Sequence, residues 1–187
     1  GQPDAFRIVL NGGNLEVWIN STFSQSVPSV GLNTITVNGS GDNDTVTFDF
    51  ANGSPIPPGG VSFVGGESGG DNDTLRVVNY NVPAVTVTHT GSESGTVQVG
   101  AGAPLISFSQ IEPLVALGVV ADLTISLPAG TQNNDAILGD DGDGANAAGN
   151  DPDNTQDVGR SAIASASGDF EYTQFDNPTD EFTDTLP

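Results

Sequence analysis

The pentapeptide GDNDT stands at Gly41–Thr45 and again at Gly70–Thr74, 29 residues on (41 to 70). Each copy leads into an apolar run, VTFDF in the first case and LRVV in the second. An identical acidic turn at this offset constrains the fold more than any other feature. Three strands of ~5 residues with three turns span roughly such a length, so the two copies are expected to lie one above the other. The runs that follow them become parallel neighbours in one sheet. An antiparallel β-sandwich of hairpins remains the alternative, because breaker-rich segments also recur every ~10 residues.

The remaining sequence agrees with an all-β chain. Val and Ile together outnumber Leu by 28 to 11, and β-branched side chains pack well on a pleated surface. FRIVLNGGNLEVWIN reads as a hairpin, Phe6–Leu10 against Leu15–Ile19, turned by Asn-Gly-Gly-Asn. The stretch STFSQSVPSVGLN reads as a polar connection. Strands are expected near Thr34–Val37, Thr45–Phe50, Val61–Val64, Thr74–Val78, Ala84–Thr88, Thr96–Val99, Leu105–Phe108, Pro113–Leu117 and Leu123–Leu127. The expected fold is a right-handed parallel β-helix, or solenoid, with an N-terminal β-hairpin. Residues 1–127 form its body, and residues 128–187 add an acidic loop and terminal strands to the same unit.

Charge excludes whole classes of partner. Three arginines, no lysine and 24 acidic residues give a net charge of −21. Phosphate recognition needs clustered Lys and Arg, so nucleic acid is not expected, and neither is an anionic membrane surface. No apolar run reaches membrane-spanning length, so membrane insertion is not expected. Carboxylates at this density repel one another unless salt or bound cations intervene, which suits an extracellular setting. There is no cysteine, hence no disulfide, and no lysine, hence no Lys–Asn crosslink. The absence of methionine points to a processed piece of a longer precursor.

Calcium is the expected ligand. In the register Gly39–Thr47 the repeat is close to the nonapeptide of calcium-binding β-rolls, with Asp44 and Asp73 in the motif's Asp position. Asp42 and Asp71 stand where that motif has glycine, and the copies are not in tandem, so a turn in which Asp and Asn cap the backbone is the competing reading. The richer candidate is GDDGDGANAAGNDPDNTQD, residues 139–157. Its glycine-punctuated carboxylates Asp140, Asp141, Asp143, Asp151, Asp153 and Asp157, with Asp135 nearby, offer the oxygen donors that calcium takes. No EF-hand pattern is present.

Catalytic readings are weaker. His89 is the only histidine, expected as an exposed strand residue, and no G-x-S-x-G occurs. Arg7, Arg76 and Arg160 are scattered in sequence, so no basic residue is placed for a lyase. Carboxylate pairs for glycan hydrolysis are abundant but unspecific.

The runs NGSPIPPGGVSFVGGESGGDNDTLRV, ISFSQIEPL, LPAGTQNNDAILGDDGDG and GDFEYTQFDNPTDEFT make nearly the whole chain resemble a repeat module of giant acidic secreted bacterial surface proteins. These are hemolysin-type calcium-binding proteins of aquatic bacteria, planctomycetes among them. The resemblance implies export, calcium dependence and a surface or matrix role, and no catalytic residues. The expected function is a non-enzymatic subunit of a calcium-stabilised extracellular filament, adhesin or biofilm matrix. Its partners are other copies of itself, met head-to-tail by end stacking or by strand addition through Phe170–Phe175 or Glu181–Leu186. The alternatives are a calcium-dependent module for extracellular polysaccharide and, behind it, a β-helical polysaccharide hydrolase.

Overall fold

Two glycines turn the first hairpin. Gly12 and Gly13 adopt φ of 56° and 83°, the pair of positive values that a type I′ turn requires. The turn joins β1 (Ala5–Asn11) to β2 (Asn14–Ile19), with Phe6 opposite Ile19 and Leu10 opposite Leu15. This computed structural model describes residues 2–66, 72–128, 136–139 and 160–185.

A second positive-φ pair, Asn20 and Ser21 at 50° and 64°, turns the chain again into β3 (Thr22–Pro28). The sequence suggested a polar connection here, and the structure makes a strand. Its side chains are exposed, so its polarity reflects position on the sheet and not irregular backbone.

Every other described element is also a strand. They are β4 (Ile35–Asn38), β5 (Thr45–Asp49), β6 (Val61–Val64), β7 (Thr74–Gly91), β8 (Ser94–Val99), β9 (Leu105–Ser109) and β10 (Leu114–Ser126). After them come β11 (Ala136–Gly139), β12 (Arg160–Ser165), β13 (Thr173–Asp176) and β14 (Glu181–Thr185). The described chain is all-β, and its strands join in one large mixed sheet. Among the described residues no helix is long and apolar enough to cross a membrane.

Two parallel ladders organise the sheet. In one, β1, β5, β7, β10 and β13 follow one another; in the other, β4, β6 and β9 do. Thr45 pairs with Thr74 and Val46 with Leu75, so the runs after the two GDNDT copies are parallel neighbours, as the offset of 29 predicts. Alternation then sorts the side chains. Val46, Leu75 and Leu114 share one column, and Phe48, Val77 and Ala116 the next; all are buried, whereas Thr45, Thr47 and Arg76 take the opposite face. In the second ladder Val61 lies beside Ile106 and Phe63 beside Phe108, all buried in the same apolar cluster. Each such side chain stabilises the fold by about 1.5–3 kcal/mol.

Two boundaries differ from expectation. Thr74–Val78 and Ala84–Thr88 are parts of one strand, β7, and the expected Pro113–Leu117 and Leu123–Leu127 merge into β10, which runs from Leu114 to Ser126. The breaker-like NYNVP is absorbed by a bend instead of a loop. Asn79 takes φ 61°, the β10 register shifts between Leu117 and Gly118, and the Tyr80 ring lies where a side chain on Gly118 would be. The antiparallel hairpin of β7 with β8 then carries the chain to β9.

The tail belongs to the same sheet. β13 is flanked by β10 and β12, and β14 pairs with the far half of β10, from Asp122 opposite Glu181 to Ser126 opposite Thr185. The two segments expected to dock onto a neighbouring copy are thus strands of the chain's own sheet. Register explains part of this: Phe175 falls beside Ala116 and extends the same buried column.

Candidate functional site

One residue before β1, β5 and β7 begin, the register sets Asp4, Asp44 and Asp73 side by side. Leu114 pairs both with Leu75 and with Thr173, which brings Glu112 and Glu171 into the same column. Five acidic residues thus stack at intervals of ~4.8 Å across the strand starts. Ionised carboxylates so spaced repel, unless each is engaged by donors.

Backbone amides engage the central pair. Asp44 Oδ1 accepts from the N–H of Asp4 at 2.9 Å, while Oδ2 accepts from the N–H of Ser40 at 2.8 Å and its hydroxyl at 3.1 Å. Asp73 Oδ1 accepts from the N–H of Asp44 at 2.7 Å. Asn72 N–H returns the interaction to Asn43 Oδ1 at 3.0 Å. Each carboxylate therefore takes the amide of the equivalent residue on the preceding strand, and both side chains are buried. Where both copies are described, at residues 43–45 and 72–74, the repeat stacks one strand start on the next.

This geometry bears on the expected calcium ligands. Asp44 and Asp73 are committed to amides across the ladder, and Asp42 lies half-buried with Ser40 Oγ at 3.3 Å from its Oδ2. Among the described residues, no group of three or more His, Cys, Asp or Glu side chains is arranged to hold a metal ion. Asp71, Asp135, Asp140, Asp141, Asp143, Asp151, Asp153 and Asp157 lie outside the described residues.

At the other end of the column the electrostatics invert. Glu171 is 9% exposed, and burial pushes its carboxyl up to about 8. Glu112 and Glu93 push in the same direction, against the Tyr172 N–H that Oε1 accepts at 2.9 Å. Between pH 4.5 and about 8 the native chain holds a proton that the unfolded chain has lost. This group's contribution to stability therefore falls as pH rises, by at most about 1.4 kcal/mol per pH unit. Glu171→Gln is expected to flatten that dependence and to raise Tm at pH 8 relative to the wild type, as thermal melts at pH 5 and pH 8 would measure.

Asp49 behaves oppositely. Burial raises its pKa, but Asn79 Nδ2, the Ala51 N–H and the Arg7 guanidinium prevail and hold it below the usual carboxylate range. Arg7 Nη2 lies 2.7 Å from Asp49 Oδ2. The stabilisation from this group is present at neutral pH and is lost as pH falls through the lowered pKa.

His89 corrects the expectation of an exposed strand residue. It is 1% exposed, set against Phe108 and Phe170, and burial pushes it down to about 4. Its Nε2 is 2.9 Å from Thr173 Oγ1, whose hydroxyl donates to the Glu171 carbonyl. The ring N–H is therefore assigned to Nε2, and Nδ1 carries a lone pair with no partner among the described residues. The ring joins β7 to β13 as a neutral core residue. Its alternation with Val85 and Val87 was the signal for an inward position.

Asp4, Glu112 and Glu171 were not singled out from the sequence. They become visible only by counting back from paired strands. No protein-family model matches this chain, and no curated protein or solved structure matches it.

Proposed function

We propose that this chain is a non-enzymatic structural subunit of an extracellular filament, adhesin or matrix, assembled head-to-tail on a parallel β-solenoid. The solenoid reading is supported by the two parallel ladders, in which the chain returns to the same register after each GDNDT turn. One observation carries the assembly reading. The strand path runs β11-β12-β13-β10-β7-β5-β1-β2-β3, so its terminal strands, β3 and β11, lie at opposite ends, while β4 and β14, off this path, also pair on one side only. Neither β3 nor β11 contains a charged residue, in a chain with 27 of them, whereas β14 carries Glu181 and Asp184. Natural sheets usually guard such edges with charges, and an unguarded edge is a template for another strand. Contacts between opposite ends are heterologous and do not close, which generates a filament. Beside β11, the exposed Ile137 and Leu138 and a groove of about 280 Å³ lined by Leu138, Phe175 and Pro178 offer apolar surface to the incoming edge.

The extracellular setting is supported by the acid excess and by the resemblance to secreted repeat modules. Calcium enters through the sequence of residues 135–157. At calcium a hundredfold above Kd, one site adds about 2.7 kcal/mol, or roughly 5–10 °C in Tm for a chain of this size. Electron microscopy and light scattering of the wild type, in calcium and in EGTA, test the reading. Filaments are expected from the wild type and monomers from Ser24→Lys/Ser26→Lys. Wild-type monomers at every concentration in both buffers would sink the assembly. An unchanged Tm on EGTA addition would remove calcium from it.

A further inference from the structure

The β11 edge is paired to the body of the sheet through a narrow joint. β11 pairs with β12 and β12 with β13, and of these three only β13 pairs with β10. That last ladder is short, Leu114 to Ala116 beside Thr173 to Phe175, whereas β10 follows β7 from Leu114 to Ser126. β11, β12 and β13 thus form an arm with one seam to the rest of the sheet.

Two buried titratable side chains meet at this seam. Glu171 precedes β13, and His89 lies on β7. Thr173 connects them: its Oγ1 is 2.9 Å from His89 Nε2 and donates to the Glu171 carbonyl at 3.3 Å. Phe170 packs on the His89 ring at 5.4 Å, and the Leu114 N–H donates to the Tyr172 carbonyl at 3.0 Å.

The Glu171 carboxyl is poorly provided for as an anion. Asp44 takes two amides and a hydroxyl, whereas among the described residues Glu171 takes the Tyr172 N–H alone. Glu112 faces it from the start of β10, and Glu93 from the β7–β8 turn. The nearby Asp169 is occupied with the Ser167 hydroxyl at 2.6 Å. Among the described residues no cation offsets these acids, since Arg7 pairs with Asp49 and Arg160 with Asp176. A buried carboxyl with one donor and two facing carboxylates is held in its neutral form.

We propose that neutral Glu171 clamps the β11–β13 arm onto β10, and that its ionisation loosens the arm and withdraws the β11 edge from assembly. The consequence for assembly rests on the filament reading; the opening of the arm does not. Direction in pH follows from both groups. In the docked arm Glu171 keeps its proton up to about 8, and in a released arm it loses it near 4.5. Rising pH therefore favours release. Release also uncovers His89, because Phe170 and Thr173 leave with the arm. Docked, His89 stays neutral down to about 4; uncovered, it takes a proton near 6.5. Between pH 4.5 and 6.5 the two dependences cancel, and above 6.5 only that of Glu171 remains. Docking is thus firmest from pH 4.5 to 6.5 and weakens toward pH 8.

Hydrogen–deuterium exchange of the full chain at about pH 6.5 and pH 8.5, corrected for intrinsic amide rates, reads the arm directly. Relative to β1 and β2, the amides of β12 and β13 are expected to gain exchange roughly tenfold or more in the wild type. Glu171→Gln is expected to show no such gain. Glu93→Gln, in the turn, removes one facing carboxylate and is expected to reduce the gain without disturbing the core. Light scattering at the same two pH values is expected to show fewer filaments at the higher one in the wild type and no change in Glu171→Gln. An equal gain in wild type and Glu171→Gln, an undiminished gain in Glu93→Gln, or no gain in the wild type overturns the clamp. A gain with unchanged filament yield overturns its link to assembly. Filaments at neither pH, with the gain present, would count against the filament reading and support the clamp.

Discussion

Gly65→Ala is expected to destabilise the chain by on the order of 3–5 kcal/mol and to abolish most of its soluble yield. Gly65 follows β6, and its N–H donates to the Ser109 carbonyl at 3.0 Å. A methyl group on it would overlap the Gln110 carbonyl oxygen and the Asp73 carboxylate. Neither can retreat cheaply, because Gln110 already sits at φ 57° and Asp73 Oδ1 is tied to the Asp44 amide. Gly39, on the other side, meets the Gly65 carbonyl in the same way. The two glycines let backbone stack on backbone beside the acidic column. Gly139→Ala is the control, since among the described residues its added carbon meets nothing closer than the Ala162 carbonyl oxygen at 4.0 Å. Urea midpoints of the three proteins measure the effect, and a Gly65→Ala midpoint equal to that of Gly139→Ala would show that the close stacking is not as described.

Asp44→Ala is expected to cost about 2–4 kcal/mol, because it strips acceptors from the amides of Asp4 and Ser40 in one substitution. For a chain of this size the loss is roughly 5–15 °C in Tm. Asp44→Asn keeps one acceptor oxygen and is expected to lose less than half as much. Calcium separates the two roles an aspartate can have here. A peg for the backbone costs the same in calcium and in EGTA, whereas an ion ligand would lose its effect once the ion is gone. The expected result is an equal cost in both buffers; a cost confined to calcium would show Asp44 to be a calcium ligand.

The turn motif shows how far the sequence could be read. The 29-residue offset and the apolar runs after GDNDT placed β5 beside β7, and Val46 and Leu75 on the buried face, because alternation and spacing are local properties. The same residues did not reveal what Asp44 does. An exposed carboxylate at a turn and a buried one capping a neighbouring strand have identical sequences, and only the position of the Asp4 and Ser40 amides distinguishes them. Beyond β7 the periodicity breaks, since the β7–β8 hairpin intervenes before β10 returns to the ladder. Glu112 and Glu171 join the column only through that pairing.

The sequence by itself determined strand content, the first hairpin, the repeated turn and the acid excess. β-branched alternation, positive-φ residue types and charge act over a few residues and need no tertiary partner. Tertiary structure alone decided that Thr22–Pro28 is an edge strand, that Phe108 and Phe170 are what pack on His89, and that Arg7 and Arg76 stand in line with Trp18. Those outcomes depend on which strands pair and in what register. That choice is made by burying distant apolar side chains together, and local pattern does not carry it.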